Sequence, residues 1–243
     1  MSSIETSCDA TPFPYRDLLN NMENAAALFH PDLFFDLTSF EYHDLFAGVQ
    51  VVWQVLSRLH AYILAHTTAE PRVRGHVDPH AYLVGQHILI EVDAVVEAGA
   101  YIQGPCIIGR GVVVRHGAYV RAGTIAATGS LIGHATETKN CLLLPHSKAP
   151  HFAYVGDSIL GNRVNLGAGT RLADLRLDLG LISVSANGQR YPTGLHKMGA
   201  IIGDDSHLGC NTVCNPGTIL GPRCLVHALT SVYGYHPAGS VIK

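Results

Sequence analysis

From Ile90 the chain can be written in blocks of six: IEVDAV, VEAGAY, IQGPCI, IGRGVV, VRHGAY, VRAGTI. The same register returns at Ile202 as IGDDSH, LGCNTV, CNPGTI, LGPRCL, VHALTS, VYGYHP. Across these twelve blocks the first position is Ile, Val or Leu eleven times and Cys214 once, and the fifth is small in every block but that of His236. Such hexads predict a parallel β-helix, in which each block is one short strand and a turn and three blocks close a triangular coil. The opening aliphatic residue points into the prism and the small fifth residue fits under its corner. Gly, frequent at the second position, allows backbone conformations that a side chain hinders. With coils stacked at the ~4.8 Å strand spacing, about seven coils make a rod on the order of 35 Å long.

Two stretches leave this rhythm. In residues 1–70 the apolar positions Leu45, Val49, Val52, Trp53, Leu56, Leu59 and Ile63 recur at intervals of three and four, the spacing of a helical face ending near His66. Thr38-Ser39-Phe40-Glu41 has the form of a capping box, and Asp17 to Phe29 reads as an earlier helix stopped by Pro31. These helices are expected to cover an open end of the solenoid, which such arrays require, or to bind a partner. The domain reading is therefore a helical cap over 1–70 and a β-helix over 71–243. The second break, 173–200, carries the alternating Ile182-Ser183-Val184-Ser185 and an Asn187-Gly188 turn, so it predicts an extruded hairpin loop reaching toward a neighbour. Its Arg176, Arg190, His196 and Lys197 suit either a phosphate or a solvated surface.

Composition narrows the function classes. The chain is 47% hydrophobic but only 14% charged, with 25 glycines, which favours stacked strands over solvated helices. A net charge of -3 supplies no basic field for nucleic acid or an anionic membrane. The six cysteines lack CxxC spacing and mostly fall at core positions, as expected of reduced thiols. The N-terminus has no basic start followed by an apolar run, so a cytoplasmic protein without a membrane partner is expected.

Fifteen histidines raise the question of a metal. Ile132-Gly133-His134 resembles part of the zinc-binding pattern of gamma-class carbonic anhydrases, but Lys139 stands where the paired histidine belongs. His146 and His151 are five apart across a Pro-rich, irregular turn. No catalytic metal is expected. A Gly-x-Ser-x-Gly elbow and a Gly-x-x-x-x-Gly-Lys loop are both missing, and Gly167-Ala168-Gly169 keeps the hexad register, so it reads as turn chemistry.

The segments RAGTI at 121, HATETKN at 134, PHFAYVGDSILGNRVNLGAGT at 150 and MGAIIGDDSHLG at 198 add clustered polar residues that the repeat does not need. Together they resemble the left-handed β-helix, hexapeptide-repeat acyltransferases. The likeness is to the acetyltransferase half of N-acetylglucosamine-1-phosphate uridyltransferase/glucosamine-1-phosphate acetyltransferase and, more closely, to archaeal-type sugar-phosphate nucleotidyltransferases. It implies acetyl transfer from acetyl-CoA to an amino-sugar phosphate or nucleotide sugar in a homotrimer with its sites between protomers. His151 matches the general base, a task that suits an imidazole. Arg121 and Lys139 match cationic contacts to the sugar phosphate, and Tyr154 and Asn165 match contacts to the sugar. Ala168 matches the backbone amide facing the acetyl carbonyl. Gly209, Cys210 and Ala228 fall where the pantetheine arm runs, and Lys197 joins them as a cofactor contact.

There are departures. After NLGAGT the bacterial enzymes place an Asn and a Tyr where this chain has Asp174 and Leu175, whereas Ala173-Asp174-Leu175-Arg176 nearly reproduces the archaeal-type Ala-Asn-Leu-Arg. No nucleotidyltransferase half is legible in these residues. Three readings follow: an acetyltransferase with His151 as base, a non-catalytic sugar-nucleotide-binding or scaffold relative, and a metal-dependent hydratase. Taken singly, His151 reads equally as a turn residue and Tyr154 as a packing contact between protomers.

Overall fold

The computed structural model describes residues 25–243. From Arg72 onward the chain winds into three parallel sheets of nine, nine and eight strands, and each strand pairs with the strands three places before and after it. This is the expected β-helix, and it is longer than the hexads alone suggest. Nine strands in one sheet span eight spacings of ~4.8 Å, or about 38 Å. The first coil already begins with the strands Arg72–Val73, His76–Val77 and Tyr82–Val84.

The prism is filled as the repeat predicts. Ile90, Val96, Ile102, Ile108, Val114, Val120, Ala126 and Ile132 are fully buried at steps of six, and small residues such as Ala94, Ala100 and Ala118 lie under the corners. The segment that looks irregular in sequence is in register. Ala149 lies against Ile132 and Val155 against Thr138 in continuous parallel ladders. What disturbs the spacing is the loss of one residue per coil at a single corner: the inward step is five between Thr138 and Leu143 and again between Val155 and Leu160. Asn140 (φ 44°) and Asp157 (φ 43°) make those short corners in the left-handed region.

One sheet is apolar on both faces. It contains Ile88–Ile90, Cys106–Ile108, Thr124–Ala126 and their successors, and its outward residues Leu89, Ile107, Ile125, Leu142, Ile159, Ile201 and Ile219 are all buried. They form a second core with Phe29, Phe34, Phe40, Trp53, Leu56, Leu59 and Ile63 from the N-terminal segment. That segment therefore lies along a flank of the solenoid, not over an end as expected. Nor is it one long helix: 3-10 turns at His43–Phe46 and Val52–Ser57 precede an α-helix at Leu59–His66. Gly48 (φ 68°) interrupts the helical path, and the β-branched run Val51-Val52 favours the extended entry seen at Val51. Glu41 does not cap its own segment. Its carboxylate accepts from Thr128 N at 3.2 Å and Thr128 Oγ1 at 2.7 Å, tying the segment to a coil. Residues 25–29 are helical, and the rest of the stretch expected as helix from Asp17 lies outside the described residues.

The hairpin in 173–200 forms as Ser183–Ala186 paired with Gln189–Pro192, turning at Asn187 (φ 51°) and Gly188 (φ 75°). It folds back on its own chain: Ile182, Val184, Tyr191 and Met198 join the same flank core. Only the turn around Leu175, Leu177, Leu179 and Leu181 stands out into solvent. No helix of the described residues is long and apolar enough to cross a membrane.

Candidate active site

Two corners carry the residues singled out by sequence. At the corner between the second and third sheets, equivalent positions on successive coils are His116, His134, His151, Ala168, Cys210 and Ala228. Each coil is stitched to the next there. Phe152 N donates to His134 O at 2.9 Å, Gly169 N to His151 O at 3.0 Å, Asn211 N to Ala168 O at 2.8 Å and Leu229 N to Cys210 O at 2.9 Å. Gly209 precedes this column because a Cβ there would lie 2.4 Å from Ala228 N.

The three histidines of the column are not alike. His116 Nδ1 lies 2.8 Å from Ala98 O and His134 Nδ1 lies 2.8 Å from His116 O, with the two rings stacked at 5.5 Å. The exposed His151 ring has no hydrogen-bond partner among the described residues. The amides of Ala168, Cys210 and Ala228 likewise donate to nothing in the described chain. The corner thus presents a free imidazole beside a vertical row of free N–H groups. No three His, Cys, Asp or Glu side chains of the described residues gather as a metal site, and His146 sits on a different corner from His151.

The short corner carries the charges. Lys139 Nζ lies 2.5 Å from Asp157 Oδ2 and donates to Asp174 Oδ2 at 2.7 Å. Tyr154 OH donates to Asp174 Oδ1 at 3.3 Å and Asn140 Nδ2 to Asp157 Oδ1 at 2.8 Å. All three charged side chains are nearly buried, at 15%, 8% and 11% exposed. Burial pushes the Asp157 carboxyl above its ordinary value. Burial acts on Asp174 too, but hydrogen bonding to Asp157 and Lys139 holds it below. Against its burial, the two carboxylates keep the Lys139 ammonium above the usual amine range. Burial, helped by the Asp174 charge, pushes the Tyr154 phenol up to about 12.

Arg121 is paired to Glu137 at 2.8 Å. Asn165 is half-buried, one coil on from Lys148. Lys197 stands apart from the column, in the neck of the loop opposite Leu175. The loop's Arg176 is taken up by Asp178. The structure therefore brings His151, Ala168, Cys210 and Ala228 to one edge, and Lys139 and Tyr154 to the next, with the third sheet between them. It adds residues that motif matching passed over: Asp157 and Glu137, and Arg171, whose Cα faces that of Tyr154. The Arg171 guanidinium donates to Phe152 O at 2.6 Å and to Gly169 O, reaching from the sheet back to the turn that holds His151. A charged residue beside Tyr154 one coil on was the available sequence signal for it.

No family model matches the chain. A bifunctional sugar-1-phosphate nucleotidylyltransferase/acetyltransferase of Sulfurisphaera tokodaii is 38% identical over 153 residues, 63% of this chain and 38% of that one. The bifunctional protein GlmU of Methanococcus maripaludis is 33% identical over 176 residues, 72% of this chain and 42% of that one. The chain's homologues are GlmU-type sugar-1-phosphate nucleotidylyltransferase/acetyltransferases. The chain spans about two fifths of the length of these two relatives. Among solved structures, an Arabidopsis UDP-N-acetylglucosamine acyltransferase aligns over 70% of this chain and 69% of its own at 14% identity and a TM-score of 0.37.

Proposed function

We propose that the chain is an acetyltransferase that moves the acetyl group of acetyl-CoA to the amine of an amino sugar, with His151 as general base. The observation that carries this reading is the corner column, where His151 alone of three stacked histidines has a free ring beside unpaired amides. The amine nitrogen attacks the thioester carbonyl, and His151 takes the proton that nitrogen sheds. The developing oxyanion is held by the Ala168 N–H, and the C–S bond breaks to release the thiol of CoA. The amides of Cys210 and Ala228 continue the row and suit the amide-bearing arm of CoA. Gly209 serves by letting the coils close up there. Tyr154 and Asn165 flank the base and hold the sugar. Kinship to proteins named as sugar-1-phosphate acetyltransferases supports the substrate class.

The site is open in a single chain, and we place it between copies of a homotrimer. Two unlike apolar stripes support this. Val95, Val113 and Leu131 run down the second sheet, and Tyr82, Tyr101 and Tyr119 run down the third with ring centroids 6.0 and 5.4 Å apart. Different surfaces meeting head to tail close into a ring. Light scattering on the eluted protein checks the assembly: three chain masses support it and one chain mass rejects it. For the activity, acetyl-CoA is incubated with hexosamines and their phosphates and the released thiol is followed. Turnover that is lost in His151→Ala with the assembly intact supports the reading, while full turnover in that variant removes His151 as base.

A further inference from the structure

Resting on the amino-sugar reading above, the inference concerns which cation meets the acceptor's anionic group. Arg121 and Lys139 are the cations that motif matching offers, and both are already engaged. Lys139 is wedged between Asp157 and Asp174 with little of it exposed, and Arg121 faces Glu137. Two cations thus stand against three carboxyl groups, which leaves this side of the sheet without surplus positive charge. An incoming phosphate would have to pull Lys139 out of contacts made in a partly dehydrated corner, where each charge left behind lacks a partner.

Arg171 differs from both. It is exposed and has no carboxylate partner among the described residues. Only Nη1 is used, and its acceptors are the neutral carbonyls of Phe152, Gly169 and Thr170. Those bonds fix the guanidinium against the His151 turn while leaving its full charge and the Nε and Nη2 donors uncommitted. Its Cα faces that of Tyr154, the residue whose hydroxyl reaches Asp174. A planar fork with two free edges, anchored beside a free imidazole, is suited to a phosphate oxygen pair.

We infer that Arg171, in place of Arg121 and Lys139, binds the anionic group of the acceptor, a hexosamine phosphate or its nucleotide ester. Asp174 is a positioning residue that withdraws Lys139 from that task. Asp174 thereby narrows the acceptor: the phosphate must reach the Arg171 side of the third sheet, not the short corner.

The test uses the full-length assembled protein with glucosamine 1-phosphate as probe, read both by calorimetric binding and by steady-state kinetics. Arg171→Gln is expected to weaken binding of the sugar phosphate about tenfold, to raise its KM alike and to leave the KM for acetyl-CoA unchanged; Arg171→Lys recovers part of the loss. Asp174→Asn releases Lys139 and tightens binding several-fold. Sugar phosphate that binds Arg171→Gln as it binds the unaltered protein, or that is weakened by Arg121→Gln instead, overturns the inference. So does an unaltered protein that binds no sugar phosphate but acetylates neutral hexosamine, which keeps the acetyltransferase reading. Conversely, Arg171-dependent binding with no acetyl transfer to any hexosamine keeps this inference and removes the acetyltransferase reading.

Discussion

Replacing Lys139 with methionine removes one cation from between two carboxyl groups and leaves a side chain of similar length. Asp157 and Asp174 are then left facing each other with their side chains about one tenth exposed. Breaking a buried ion pair by deleting one member costs roughly 3–5 kcal/mol. The remaining carboxyls relieve part of that by taking up a proton, so we expect about 3 kcal/mol at pH 7.5. The cost falls where the triad sits, at the neck of the loop, because Met198 N donates to Asp174 O at 3.0 Å and Gly199 N to Asp157 O at 2.8 Å. Amide exchange at Met198 and Gly199 should therefore accelerate on the order of a hundredfold, at about 1.4 kcal/mol per factor of ten. The pH dependence carries a sign. In the unaltered chain Asp174, whose carboxyl is lowered, adds stability that is present above the ordinary carboxyl pKa and lost as pH falls through its lowered value. Lys139, whose ammonium is raised, adds stability that is present below the ordinary amine value and lost only as pH rises through the raised one. In Lys139→Met both carboxyls rise, so the deficit narrows between pH 7.5 and pH 5 as one is protonated. Exchange at Met198 and Gly199 that changes by less than about threefold, or that is equally affected at both pH values, refutes the reasoning.

Other consequences follow from the flank core. Asp204 accepts from Asn162 N at 2.7 Å, Asp36 N at 2.8 Å and Asn162 Nδ2 at 2.9 Å, so it joins the N-terminal segment to two coils. Asp204→Ala strands those donors at about 1–3 kcal/mol each, and the emission of Trp53, the chain's single tryptophan, should shift to the red before far-ultraviolet dichroism changes; coincident transitions contradict this. Trp53→Ala, at a residue 4% exposed and 5.1 Å from the Phe29 ring, should cost about 3–5 kcal/mol in denaturant unfolding. By contrast Leu177→Asp, in the solvent-exposed turn, should stay within about 0.5 kcal/mol in the dissociated chain.

The solenoid was legible because its interior demands one aliphatic and one small residue per strand, and Ile90 to Ile132 supply them without a slip. The flank core was legible too, in a period of three blocks that hexad reading overlooks. The residue before the inward one is Leu89, Ile107, Ile125, Leu142, Ile159, Ile201 and Ile219 on one sheet. On the third sheet it is Tyr101, Tyr119, Glu137, Tyr154 and Arg171. That contrast marks which sheet must be covered, and so why the N-terminal segment and the hairpin lie along a flank. The segment's turns were not legible as such, since helical spacing of apolar residues also describes a chain laid across an apolar sheet. The site was half visible. His151, Ala168, Cys210 and Ala228 share a column because they sit at one hexad position. The meeting of Lys139 with Asp174, 35 residues apart, depends on two shortened corners and on where the loop leaves, which no local pattern encodes.

The central claim is that the His151 corner transfers an acetyl group from CoA to a sugar amine. The direct measurement is thiol release from acetyl-CoA by the assembled protein, with a hexosamine phosphate as acceptor, in parallel for the unaltered chain and for His151→Ala. We predict turnover in the first and a loss of at least about a hundredfold in the second, with the binding of CoA retained in both. An unaltered protein that neither binds CoA nor releases thiol contradicts the account.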